Sequence, residues 1–262
     1  MLETMSIQTA PGASPVRRLV LLRATAGALA TTGALPYAIA LNPAQFARVP
    51  MPMPLFVLTQ FLQGFVLLAL LSWVGLRLGH AIGLGSPLAE TLVYRRQAFS
   101  LPGKTLALAA VAGAITGALL LVLDRGFQPF MPGTTLATAA NLDLWKRLLA
   151  SFYGGITEEL ICRLFLMTLL VWICWKFTSR KDAPAAWMMW SGIVGASLLF
   201  GIGHLPAAAA VWPLTAGVVA RTLALNGIAG IAFGWIYWRR GLEHAMLAHF
   251  AADLVVHGLG GS

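Results

Sequence analysis

The sequence predicts an all-α fold, a polytopic membrane helical bundle of about seven to eight transmembrane helices. Three observations carry this. Hydrophobic residues make up 58% of the 262 residues and charged residues only 10%, whereas a soluble domain carries about a quarter charged. Mean hydropathy is +0.79. The apolar runs recur at about twenty residues, the length that crosses hydrocarbon as helix. The chain reads as one membrane domain with no soluble domain of any size.

The elements follow in order. Arg17-Arg18 precede the first apolar run, which has some character of a signal peptide. The run extends from Leu19 to about Leu41, interrupted only by Arg23 and with no cleavage site, so a retained span is expected, kinked near Pro36. Asn42 to Pro54 holds four prolines and cannot be helical throughout. Span two is expected over about 55–76, continuing at the interface to His80. A loop with Glu90, Arg95, Arg96 and Lys104 leads to span three over about 105–123, where Gly113 and Gly117 have the spacing that lets helices approach. Asp124, Arg125, Pro129 and Pro132 read as the next loop. One long helix is expected over about 144–176, closed by Lys176, Arg180 and Lys181. Span five covers about 186–204, stopped by Pro206. Span six, about 213–238, ends in Trp235-Ile236-Tyr237-Trp238-Arg239-Arg240, aromatic anchors followed by positive charge. The last span, about 242–259, contains His244, His249, Asp253 and His257.

The net charge of +9 comes mostly from Lys and Arg between the spans. Basic loops facing anionic lipid explain it without nucleic acid, and no compact basic patch with interleaved aromatics appears. The seven-span reading puts eleven of the basic residues on one side and five on the other, which favours a cytoplasmic N-terminus. Cys162 and Cys174 lie twelve residues apart in one expected helix and cannot bridge, so there is no disulfide framework.

Charged groups inside such spans are functional-site candidates by default, and only nine Asp and Glu occur in the chain. Glu158 and Glu159 adjoin at the head of the apolar run Leu164–Trp175. Glu159 and Arg163 are four residues apart, on one helical face and able to pair. Glu158 is turned by about 100° from Glu159, so the two carboxylates need not share a role. His249 and Asp253 are also four apart, and His204 sits at the end of span five. Three helices thus bring polar groups to one level, around a wet cavity. A desolvated carboxylate is a strong base toward water, and nearby imidazoles can stabilise an oxyanion. The same set, Glu158, His204, His249 and Asp253, has the ligand types of a zinc site. His80, His244 and His257 read as interfacial, Asn226 as a buried hydrogen-bonder, and Trp187, Trp190, Trp235 and Trp238 as interface anchors.

Glu158-Glu159-x-x-x-Arg163, Phe200-x-x-x-His204 and His249-x-x-x-Asp253, in that order on successive helices, resemble the three signature motifs of the CAAX-protease and bacteriocin-processing (CPBP) family of intramembrane endopeptidases, type II CAAX prenyl proteases among them. The Gly230–Trp238 stretch is similar to the family's penultimate helix. The resemblance covers about residues 85–257, giving N-terminal helices and linker over 1–84 and a protease core over 85–262. It implies that Glu158 activates water with His204 assisting, that Glu159 and Arg163 brace the site, and that His249 and Asp253 stabilise the oxyanion. Asp253 departs from the pattern of prenyl-protein-processing members, which carry Asn there. An ionised Asp cannot donate to an oxyanion; it must be protonated, orient His249 or bind metal, which weakens the transfer of prenyl specificity. Cys162 and Leu164 flank Arg163 where the family often has Phe and Gly, a change expected to affect packing. The expected reaction is cleavage of a peptide bond in a membrane-associated protein or peptide at the lipid bilayer of a bacterial cytoplasmic membrane. No cofactor is expected, with Zn2+ as the alternative. The competing classes are a proton-coupled carrier using the same residues as a relay and a non-catalytic processing or immunity scaffold. Neither internal repeats nor a broken-helix pair support the carrier.

Overall fold

The computed structural model describes residues 16–94, 100–133, 142–178 and 182–259. Every regular element among them is helical. The expectations for Arg95, Arg96, Arg180 and Lys181 lie outside the described residues.

Helix α1 (Arg17–Gly33) breaks at Ala34 and resumes as α2 (Leu35–Leu41), with Pro36 in its first turn, where a missing N–H costs nothing. The proline-rich link contributes only the short α3 (Pro43–Phe46). Next come α4 (Met53–Ile82), α5 (Pro87–Tyr94) and α6 (Gly103–Phe127). Gly83 closes α4 in the left-handed conformation, at φ 75°, that glycine adopts without strain. The central segment runs through α7 (Leu144–Phe152), two π-helical stretches, π1 (Tyr153–Glu158) and π2 (Leu160–Met167), and α8 (Thr168–Lys176). The chain continues as α9 (Ala186–Gly203), α10 (Leu205–Ala209), α11 (Ala216–Arg240) and α12 (Leu242–Leu259).

Among the described residues, five segments are long and apolar enough to cross a membrane: Arg17–Leu41, Met53–Ile82, Gly103–Phe130, Ala186–Ala209 and Ala216–Arg240. The two remaining long segments, the central one and α12, carry the charged residues singled out above. Leu160, Leu164, Met167 and Val171 of the central segment are fully buried, sheathed by α1, α4, α9 and α12. Large apolar side chains such as Leu62, Val66 and Leu70 of α4 and Leu108, Val111 and Ile115 of α6 point outward. In lipid that is the favourable side for them, since the backbone is satisfied within each helix.

Small residues set the closest crossings. A Cβ at Gly113 or Gly117 would overlap the backbone of Ala248 or Ala252, so α6 and α12 touch main chain to main chain. Leu19, Leu68 and Leu76 from the N-terminal helices belong to the same core cluster as Leu160, Ile193, Phe233 and Ala248.

Four sequence expectations are corrected here. The central helix is not regular: it widens to π geometry through the carboxylate pair. Pro206 does not stop the chain's helical course; α9 ends at Gly203 and α10 begins with Pro206 in its first turn. Asp124 is not in a loop but buried in the last turn of α6, paired with Arg221 of α11. His244 is buried rather than interfacial, its Nε2 lying 2.9 Å from Thr105 Oγ1 of α6. For Asp124 and His244 a partner on another helix supplies what the residue's own segment lacks.

Candidate active site

The site begins with two glycines. Gly154 and Gly155 stand where α12 crosses π1. A Cβ at Gly154 would overlap the Asp253 carboxylate and come 3.1 Å from His249 Nε2, and one at Gly155 would come 2.8 Å from Phe250 Cβ. The helix after them is π-helical, a geometry frequent at functional sites.

Within this stretch the two carboxylates diverge. Glu159 is completely buried, with Oε2 3.4 Å from Nε of the equally buried Arg163. Its other oxygen, Oε1, is 2.9 Å from His249 Nδ1, close enough to accept that N–H. Glu158 retains a side-chain exposure of 15%. Its Oε1 is 3.5 Å from His204 Nε2 and its Oε2 is 3.7 Å from His249 Nε2. Asp253 Oδ1 lies 3.7 Å from the same His249 nitrogen. All six residues, Glu158, Glu159, Arg163, His204, His249 and Asp253, therefore form one cluster drawn from three parts of the chain.

The imidazoles are held from behind. His204 Nδ1 is 2.9 Å from Phe200 O and donates to it, which leaves Nε2 aimed at Glu158. Phe233 stacks on the His249 ring at 4.5 Å and Phe200 meets the His204 ring edge-on at 4.5 Å. The Arg163 guanidinium lies 5.5 Å from the Phe200 ring and 6.0 Å from that of Phe233. Nε2 of His249, Oε2 of Glu158 and Oδ1 of Asp253 are all acceptors when His249 is neutral. A proton or a water hydrogen placed among them would satisfy these acceptors.

Among the described residues, no group of three or more His, Cys, Asp and Glu side chains is arranged to hold a metal ion. The imidazole nitrogens instead face carboxylate oxygens in pairs.

Residues 140–255 match the family model described as Type II CAAX prenyl endopeptidase Rce1-like. This stretch is similar to that family of CAAX proteases. No curated protein and no solved structure matches the chain. The matched segment starts ahead of α7, ends within α12 and encloses all six clustered residues, whereas α1 to α6 lie outside it. The family supports a hydrolase of the membrane, acting on a membrane-associated substrate.

Sequence reasoning did not find Phe233, Gly154 or Thr157 as parts of this arrangement. Phe233 lies within the Gly230–Trp238 stretch, but one aromatic among many gives no signal. Thr157 adjoins Glu158, yet its buried hydroxyl bond to Gly27 O of α1, at 3.0 Å, spans 130 residues.

Proposed function

We propose that the chain is an intramembrane endopeptidase in which Glu158 activates water against a peptide bond of a membrane-associated protein or peptide. One observation carries the reading: the Glu158 carboxylate lies between two imidazole nitrogens at 3.5 and 3.7 Å. Both gaps exceed a direct hydrogen bond and suit a single bridging water.

Such a water donates one proton toward Glu158 Oε1 and the other toward His204 Nε2, which accepts because Nδ1–H is committed to Phe200 O. Its oxygen is then nucleophilic, and Glu158 takes the proton that it later returns to the leaving amine. His249, with Nδ1–H held by Glu159, serves as imidazolium, and its Nε2–H faces the developing oxyanion. Arg163 balances the charge of Glu159 and keeps it in the role of orienting base. Asp253 shares the proton of the acceptor cluster rather than donating as Asn does. The mechanism is of the glutamate type and needs no metal. A cytoplasmic N-terminus completes the reading, from the charge bias of the loops.

The test uses purified protein in liposomes with membrane-tethered peptides. Wild type cleaves, Glu158→Gln does not, and a strong zinc chelator leaves wild-type cleavage unchanged. Equal cleavage by wild type and Glu158→Gln would remove Glu158 as the base. Loss of activity on chelation would replace the metal-free mechanism. Solute transport without cleavage would replace the enzyme by a carrier.

A further inference from the structure

The π-helical stretch that carries Glu158 and Glu159 must be kept from tightening into ordinary α-helix. A shift of one residue in its register would rotate the carboxylates by about 100°, away from the imidazoles. The structure has one hydroxyl clamp within π1, beside Glu158, and a second just past the end of π2.

Within π1, Thr157 Oγ1 and Thr31 Oγ1 reach the same carbonyl, Gly27 O, at 3.0 and 2.9 Å, and lie 3.1 Å from each other. One hydroxyl donates to the carbonyl while the other donates to it or to its neighbour. At the far end, Thr168 Oγ1 donates to Arg163 O, five residues back, at 3.0 Å, and Tyr237 Oη lies 2.9 Å from Thr168 Oγ1 and donates to it. Thr157, Thr168 and Tyr237 are all buried, so water is a poor substitute for these partners. Between the clamps α4 is pressed onto the same stretch: a Cβ at Gly75 would overlap the Leu164 carbonyl. Thr31, Gly27 and Gly75 all lie outside the matched residues 140–255.

We propose that Thr157 with Thr31, and Thr168 with Tyr237, are positioning residues that hold π1 and π2 in the register at which Glu158 and Glu159 meet the imidazoles. This rests on the reading of Glu158 as the base. It makes the first helix, through Gly27 and Thr31, part of the catalytic apparatus rather than an added anchor.

The intact protein in liposomes is compared with Thr157→Val, Thr157→Ser and Tyr237→Phe. Valine keeps the shape of threonine and loses the hydroxyl; serine keeps the hydroxyl. The expected result is a fall in kcat of about tenfold for Thr157→Val and Tyr237→Phe at unchanged KM, equivalent to about 1.4 kcal/mol of transition-state stabilisation, with Thr157→Ser close to wild type. Amide hydrogen exchange over 153–167 in detergent is the second readout, expected to quicken several-fold in the two hydroxyl-deleted variants. Wild-type kcat and exchange in both variants would overturn the proposal, as would a Thr157→Ser variant as impaired as Thr157→Val. Should wild type cleave nothing, the endopeptidase reading fails and the exchange comparison alone decides the clamps. Tyr237→Phe, on a different helix, keeps the test decisive if Thr157→Val does not fold.

Discussion

Replacing Arg163 by Met isolates the electrostatics behind the site. The guanidinium is fully buried, 3.4 Å from Glu159, and its Nη atoms have no hydrogen-bond partner among the described residues, resting instead against Phe200 and Phe233. Methionine refills most of the volume, so the main loss is the counter-charge of a carboxylate that water cannot reach. Stripping one partner from a buried pair costs about 3–5 kcal/mol, and the lost aromatic contact adds at most about 2 kcal/mol. For a chain of this size each kcal/mol moves the midpoint by about 2–4 °C, so a total of about 3–7 kcal/mol should make Arg163→Met unfold roughly 6–28 °C earlier in a detergent melt. Adding Glu159→Gln removes the stranded charge, and the double variant should recover most of that shift. It should not recover cleavage, because a neutral amide no longer balances an imidazolium at His249, 2.9 Å away. A single variant that melts with wild type, or a double variant less stable than the single, would refute the buried-pair account.

Other outcomes follow from the same geometry. Gly154→Ala adds a methyl group against Asp253 and His249; cleavage should fall about a hundredfold, the scale of an ångström-level misplacement, and unimpaired turnover would show that α12 can move aside. Gly113→Ala forces α6 off the Ala248 backbone and should cost about 1–3 kcal/mol, whereas Gly103→Ala, with nothing within 4 Å of the new methyl, should be neutral in the same melt. Glu90, outside the spans, has its carboxyl subject to burial, which raises its pKa, but the His80 contact, the Ser86 backbone and Arg23 together hold it below the ordinary value of 4.5. A depressed pKa stabilises the fold above the unfolded value and loses that contribution as pH falls through the folded one. Melts taken below pH 4.5 should therefore show a drop in wild type that Glu90→Gln lacks.

Much of this molecule is legible in one dimension. Whether twenty residues form a helix that tolerates lipid depends on their own composition, so the spans of α4, α6, α9 and α11 can be read directly. The four-residue spacing of Glu159 with Arg163 and of His249 with Asp253 is likewise local, because any helix puts such residues on one face. What each face meets is a different matter. That Glu159 holds His249, that Phe233 covers its ring, that Asp124 finds Arg221 and that Arg23 reaches Glu243 at 3.4 Å all depend on helix crossings between distant parts of the chain. The π geometry belongs with these, since the hydroxyl and glycine contacts at its ends and middle come from α1, α4, α11 and α12. Local hydrophobicity decides that a segment is helical and buried in the membrane; only tertiary packing, by supplying partners for groups that lipid cannot solvate, decides where each charge points and how the helix beneath it is wound.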